Sequence, residues 1–265
     1  MTLDQAKCRV VDSDLVATRN WIPSANFGPR KEGAQIDLLL MHYTATPTNA
    51  YALELLTSPE GQVSSHYLID GEGVIYQLVR EEMRAWHAGD ACWAGERDIN
   101  SCSIGIEIQN QGAALVKPPA YGRAQMKAVV ALSQDIVKRH NISPWRVLAH
   151  SDVAPHRKQD PGAHFDWELL AKKGIGFWVS EEEISKGSLP TELSENTIKD
   201  VQLKLQNYGY ELELTGELDE RSRLVVTAFQ RHYRPSQVDG KIDAQTIQIL
   251  DPPPNPVATL VDRLY

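Results

Sequence analysis

Three residues of this chain, His42, His150 and Asp160, are of the types that hold a catalytic zinc ion. Catalytic zinc takes three protein ligands and keeps one coordination position for water, whose pKa the metal lowers to about 7. Each histidine ends a largely apolar run, at 36–41 and 147–149, typical of a buried strand beside a cleft. The wide spacing argues against a small structural zinc finger. For either histidine alone a core or edge histidine is the better interpretation, whereas the joint pattern favours a metal site.

A glutamate lies inside the otherwise apolar stretch SIGIEI at 103–108. Because side chains alternate along a strand, Glu107 shares a face with Gly105, which leaves open space beside it. A buried carboxylate has a raised pKa or a charged partner, and this environment suits a general base near neutral pH. From these residues alone, a structural glutamate paired with an arginine is an equally good interpretation.

Lys158 lies two residues before Asp160. In an extended segment both side chains would project to one side, where the ammonium could stabilise an oxyanion that develops beside the metal. The alternative is a solvated lysine in the charged loop at 157–160, and composition alone does not exclude it.

Six short motifs resemble, in the same order, the zinc-dependent N-acetylmuramoyl-L-alanine amidases of the AmpD/AmiD type, also called the amidase-2 or peptidoglycan-recognition-protein fold. The motifs are LMHYT at 40–44, VSSHYLI at 63–69, AWHAG at 85–89, SIGIE at 103–107, AHSD at 149–152 and RKQDPG at 157–162. The resemblance covers roughly residues 36–178. It implies that His42, His150 and Asp160 bind zinc. It also implies that Glu107 is the catalytic acid/base and that Lys158 supports the transition state.

The reaction implied by the resemblance is hydrolysis of the amide between N-acetylmuramic acid, or its 1,6-anhydro form, and L-alanine of the stem peptide. The implied partners are peptidoglycan fragments or muropeptides, in wall turnover or recycling. Trp86, His87 and Tyr43 match the substrate groove, although His87 could instead be a turn histidine packed on Trp86. The alternative function is a catalytically silent recognition or regulatory protein. Such proteins have lost zinc ligands, and here all three are present.

Hydrophobic periodicity predicts an α/β architecture, a mixed sheet flanked by helices, followed by a small all-α bundle. Residues 1–35 are expected to be largely irregular. His66 is predicted to be a structural hydrogen-bonding residue. The expected strands are at about 36–42, 66–70, 74–79, 103–110 and 146–150, and the expected helices at about 48–57, 121–140, 166–173, 195–207, 219–233 and 243–250.

Four regions are expected: an amidase domain at 1–180, a polar linker at 181–193, a helical domain at 194–250 and an extended tail at 251–265. In the helical domain GELDERS at 216–222 recurs as GKIDAQT at 240–246, with each aspartate a natural helix N-cap. The strings NYGY and AFQRHY there resemble the peptidoglycan-binding domain of cell-wall hydrolases. Two roles remain open for this domain, wall binding and structural support.

Composition agrees with a two-domain chain, because 265 residues exceed one typical domain of about 100–200. A formal net charge of −8 excludes the electrostatic footprint of a nucleic-acid-binding protein. No apolar stretch approaches the ~18–20 residues that span a bilayer, and the N-terminus lacks the apolar core of a signal peptide. The three cysteines favour free thiols in the cytoplasm over a Cys92–Cys102 pair. A periplasmic or envelope location is the alternative if a leader has been removed, and oligomeric state stays open.

Overall fold

The computed structural model describes residues 20–180 and 193–251, so Cys8, nearly all of the expected linker and the tail beyond Asp251 lie outside the described residues. The strands are β1 (Phe27–Pro29), β2 (Leu38–Tyr43), β3 (Tyr67–Ile69), β4 (Ile75–Gln77), β5 (Met83–Ala85), β6 (Ser103–Ile108) and β7 (Val147–Ala149). The helices are α1 (Asn49–Thr57), α2 (Ile99–Cys102), α3 (Arg123–His140), α4 (His150–Val153), α5 (Trp167–Lys172), α6 (Glu195–Tyr208), α7 (Glu220–Tyr233) and α8 (Ala244–Leu250).

Five strands form one mixed sheet in the order β4-β3-β6-β2-β7. All neighbours are parallel except the edge pair β3–β4, which forms a hairpin around Gly71–Gly73. The predicted mixed sheet and the C-terminal bundle are thus confirmed. The prediction missed the separate antiparallel pair β1–β5, because strands of three residues carry no periodicity. Strand β1 also shows that residues 1–35 are not wholly irregular.

The two faces of the sheet bury different groups. On one face, aliphatic residues of β2 and β6 pack against helix α3, which buries Met126, Val129, Leu132 and Ile136 there. Burying each such side chain contributes about 1.5–3 kcal/mol, so this layer fixes the strands firmly. On the other face, Leu38 and Leu40 join a core that continues into the C-terminal helices. His42 and Glu107 lie on this second face, at the carboxyl ends of the parallel strands.

The sequence repeat of the C-terminal domain repeats in structure. In each copy a buried glutamine of the preceding helix accepts from the turn glycine: Gly216 N–H donates to Gln202 at 3.0 Å and Gly240 N–H to Gln230 at 2.8 Å. The aspartates are N-caps as predicted, because Asp219 accepts from the third residue of α7 and Asp243 from that of α8. The repeat therefore encodes a turn followed by a helix start.

The C-terminal helices share a buried core with the N-terminal domain. Ala94 N–H donates to Gly209 O at 2.8 Å, and the rings of Trp93 and Tyr210 meet edge to face with centroids 4.9 Å apart. A Cβ on Gly209 would lie 2.5 Å from the Trp93 ring, so only glycine allows this approach. The loop at 90–98 packs at this interface through Trp93 and Ala94. Cys92 and Cys102 are both buried and free, as the sequence favoured.

Candidate metal centre and active site

Three lone-pair donors converge at the carboxyl ends of β2 and β7. His42 Nδ1 lies 2.9 Å from His150 Nδ1 and 3.1 Å from Asp160 Oδ2, and His150 Nδ1 lies 3.0 Å from the same oxygen. The three residues are 1%, 2% and 5% exposed. Two imidazole nitrogens and one carboxylate oxygen, buried together, form a site that could hold a metal ion.

The electrostatics of these residues agree with metal binding, which needs neutral imidazoles and an ionised carboxylate. Burial and the neighbouring His150 lower the pKa of His42 to about 4. Burial alone would raise the pKa of Asp160, but the two imidazoles hold it well below its usual value. The backbone adds a further restraint, because Ser151 N–H donates to Asp160 O at 3.0 Å. The loop that carries Asp160 is thereby tied to helix α4.

The outer nitrogen of each histidine has its own partner. His150 Nε2 lies 2.9 Å from Ala88 O, so we assign the proton to Nε2, which leaves the Nδ1 lone pair facing Asp160. The guanidinium of Arg157 also donates to Ala88 O. Such a partner fixes the tautomer and the orientation of a ligating ring. The sequence did not predict Ala88 O as a partner, because a backbone carbonyl leaves no signature in composition.

His42 is oriented by a chain of hydrogen bonds that runs away from the metal centre. His42 Nε2 lies 3.1 Å from His87 Nδ1, and His87 Nε2 lies 3.3 Å from Ser103 Oγ, whose hydroxyl donates to Ile99 O at 2.6 Å. Each atom has a partner only if His42 donates to His87 and His87 donates to Ser103. Gly105 makes room for the chain, since a Cβ there would lie 2.6 Å from the His87 ring.

Glu107 lies directly beside His42, because parallel strands β2 and β6 pair these two residues in register. Burial, and secondarily the charge of Asp160, raises the pKa of Glu107 to about 8. The residue keeps partial exposure, but its Oε2 is enclosed and has no hydrogen-bond partner among the described residues. A carboxylate in this state has free lone pairs at the edge of a cavity, which suits proton transfer.

Most of the predicted site residues line one cavity of about 210 Å³. Its lining includes seven of them, Tyr43, Trp86, His87, Glu107, His150, Lys158 and Asp160, and the eighth, His42, contacts three of these. A turn at 155–157 precedes Lys158, whose N–H donates to Ala154 O at 3.0 Å. Lys158 and Asp160 line the same cavity.

His66 has the structural role that the sequence predicted. Its Nδ1 accepts from Gly105 N–H at 3.0 Å, and its Nε2 lies 3.0 Å from a nitrogen of Arg30. Burial, with the nearby Arg30 cation, lowers the pKa of His66 to about 3. A neutral ring therefore holds the middle of β6 in place.

A second groove, of about 400 Å³, shares Tyr43 with the first cavity. Residues of the segment 110–121 form one wall of this groove. Gln159, Gly162 and His164 line it near the Asp160 loop. Arg231, from helix α7 of the C-terminal domain, completes the lining. No sequence motif predicted that the C-terminal domain reaches this groove.

A buried centre of two histidines and one aspartate beside an unpaired glutamate is an arrangement that metal-dependent hydrolases use. The N-acetylmuramoyl-L-alanine amidase family matches residues 32–163, and the family described as "Putative peptidoglycan binding domain" matches residues 194–250. The chain belongs to the N-acetylmuramoyl-L-alanine amidase family. Among the described residues, no helix is long and apolar enough to cross a membrane.

Named relatives support this membership over most of the chain. N-acetylmuramoyl-L-alanine amidase AmiD of Escherichia coli is 39% identical over 82% of this chain and 82% of its own length. The solved structure of that amidase with anhydro-N-acetylmuramic acid-L-Ala-D-γ-Glu-L-Lys gives a TM-score of 0.73 at 35% identity, covering 84% of this chain and 90% of its own. AmpDh3 of Pseudomonas aeruginosa gives a TM-score of 0.70 at 30% identity, covering 94% and 96%.

Proposed function

We propose that this amidase cleaves the bond between N-acetylmuramic acid, in its 1,6-anhydro form or within peptidoglycan, and the L-alanine of the stem peptide. The observation that carries the proposal is the register of β2 and β6, which places Glu107 beside His42 in a centre with His150 and Asp160. The AmiD structure named above has an anhydromuramyl peptide as its substrate, which supports the same substrate class for this chain.

We propose zinc as the metal, held by His42, His150 and Asp160. The donor set fits, because zinc accepts imidazole nitrogen and carboxylate oxygen and its catalytic sites use three protein ligands. When bound there, zinc would polarise the scissile carbonyl and make water a better nucleophile. The partners of the outer histidine nitrogens keep both rings in the tautomer that such binding needs.

Glu107 is proposed as the acid/base. Its free Oε2 takes a proton from the attacking water and then returns that proton to the nitrogen of the departing L-alanine. Lys158, half-buried in the same cavity, is proposed to donate to the oxyanion that forms on the former carbonyl oxygen. Both roles require only groups that line this cavity.

Tyr43, Trp86 and His87 are proposed substrate contacts because all three line the cavity with Glu107. His87 would serve twice, since its Nδ1 also partners His42. A substitution of His87 would therefore disturb metal binding as well as substrate binding. Tyr43 lines both grooves, so it is placed to contact groups on either side of the scissile bond.

We propose the domain division given by the sequence, with residues 194–250 as a unit that supports the catalytic domain. The shared core and the Ala94–Gly209 hydrogen bond favour this role over a freely tethered wall-binding module. A chain truncated after residue 180 should then melt at a lower temperature and lose activity on sacculi and soluble muropeptide together. Loss on sacculi alone would instead support wall binding.

The proposed reaction is tested with anhydromuramyl-L-Ala-γ-D-Glu-L-Lys and the purified protein. Mass spectrometry should find anhydro-N-acetylmuramic acid and the free tripeptide, with one zinc per chain by metal analysis. Chelation should stop product release, and added zinc should restore it. Binding of the muropeptide without any cleavage by the zinc-loaded protein would favour a silent recognition protein instead.

A further inference from the structure

Arg231 is a partly buried cation that has no hydrogen-bond or ion-pair partner among the described residues. It lies in the last turn of α7 and is half-buried, yet it makes no hydrogen bond or ion pair within residues 20–180 and 193–251. Burial lowers its pKa, and the nearby charge of Asp152 only partly offsets this effect. A guanidinium withdrawn from water without a partner is costly, which indicates that a ligand completes its hydrogen bonding.

The position of Arg231 is fixed by its neighbour. His232 Nδ1 lies 2.6 Å from Asp152 Oδ2, and the His232 ring stacks on Trp167 with centroids 3.7 Å apart. These contacts hold the end of α7 against the catalytic domain. Arg231 is therefore a preorganised group rather than a side chain on a mobile domain.

The groove around Arg231 is built to receive an anion. Its lining contains no acidic side chain among the residues that the structure describes, while Asn110, Gln159 and Tyr43 supply polar groups. Tyr43 also lines the cavity of Glu107, so the two grooves meet at this side chain. A substrate bound at Glu107 could extend past Tyr43 into the second groove.

We propose that Arg231 binds a carboxylate of the stem peptide, so that the C-terminal domain contributes directly to substrate recognition. This inference rests on the proposed function. The guanidinium fork matches a carboxylate through two parallel hydrogen bonds. The muropeptide in the AmiD structure offers two such groups, the free α-carboxylate of its γ-linked glutamate and its terminal carboxylate. Both are chemically equivalent ligands for Arg231, and the experiment separates them.

The test is a cycle of enzyme and substrate changes. Wild type and Arg231→Gln are assayed on the parent muropeptide, on its α-amide at glutamate and on its C-terminal amide. Arg231→Gln should raise KM for the parent substrate about 10- to 100-fold with little change in kcat, because the contact exists before and during reaction. One of the two amides should raise KM for wild type by the same factor as the substitution does. That amide should leave KM of the Arg231→Gln variant unchanged.

Arg223→Gln is the matched control, because it removes the same charge from an exposed position on the same helix. It should behave as wild type on all three substrates, and equal melting temperatures would show that both variants fold. Unchanged KM in Arg231→Gln, or equal sensitivity of wild type and variant to both amides, overturns the inference while the amidase activity stands. Failure of zinc-loaded wild type to cleave the parent substrate overturns the proposed function and this inference together.

Discussion

Helix α4 carries three buried polar residues, and two of them, His150 and Asp152, have different surroundings. His150 contributes its Nδ1 to the candidate metal centre, where it meets His42 Nδ1 and Asp160 Oδ2 within 3.0 Å. Asp152, two residues later, faces the C-terminal domain and accepts hydrogen bonds from Tyr210 and His232, both at 2.6 Å. Asp152 also accepts from a backbone N–H at 2.8 Å.

One short helix therefore supplies both a candidate metal ligand and a contact between the domains. Donors surround Asp152, so the protein itself compensates the buried carboxylate. The metal centre instead collects lone pairs that a cation would bring together. Variants on the metal side should therefore change activity, whereas variants on the domain side should change the free energy of unfolding.

The largest expected effect is loss of activity on the metal side. His42→Ala, His150→Ala and Asp160→Ala should each reduce muropeptide hydrolysis below detection, because a three-ligand site loses one ligand. Zinc stabilises only a folded state that binds it, so the zinc-dependent rise in melting temperature should also vanish. Calorimetry with and without zinc measures this effect. Full hydrolysis by a rigorously metal-free wild type would contradict the assignment.

The next effect is on stability, on the domain side. Asp152→Ala leaves the Tyr210 hydroxyl and the His232 ring buried without their acceptor, and should cost about 3–5 kcal/mol in free energy of unfolding. Denaturant titration measures it. Asp200→Ala, which breaks an exposed pair with Lys204, is the control and should cost at most about 1 kcal/mol. Similar small losses in both variants would show that Asp152 stabilises the fold no more than an exposed carboxylate does.

A smaller effect connects the two sides through His87. Gly105→Ala places a methyl group 2.6 Å from the His87 ring and should displace the partner of His42. Loss of such an outer partner weakens metal affinity about 10- to 100-fold. Competition with a chelator measures the affinity. Gly28, which has an ordinary backbone φ and open space around it, is a matched position where an alanine should leave zinc affinity unchanged.

The smallest effect is a pH slope set by His66. Its pKa is about 3 in the folded protein against 6.5 for the free side chain, so protons favour the unfolded chain. This residue's stabilising contribution is complete above about pH 6.5 and is lost as pH falls towards 3, by up to about 1.4 kcal/mol per pH unit. Denaturant titrations from pH 7 to 4 should show this extra slope in wild type relative to His66→Gln. Parallel curves would refute it.

Part of the candidate site could be predicted from local sequence patterns. His42 and Glu107 follow from alternation along two long apolar strands, and the motifs around His150 and Asp160 carry a family resemblance. Partners such as Ala88 O and Ser103 depend on register and loop path, which a single sequence does not encode locally. The domain side was unpredictable for the same reason. His232 and Asp152 are 80 residues apart in the chain and meet only through packing of α7 on α4.

Glu107 is proposed to perform proton transfer beside a metal that other residues hold. Glu107→Gln preserves the size of the side chain and removes its basicity. Zinc content and melting temperature are measured alongside kcat on anhydromuramyl-L-Ala-γ-D-Glu-L-Lys. The variant should keep one zinc per chain and an unchanged fold, while its kcat should fall about 10²–10⁴-fold. An unchanged kcat in a zinc-loaded variant, or loss of the zinc itself, would show that Glu107 is not the acid/base.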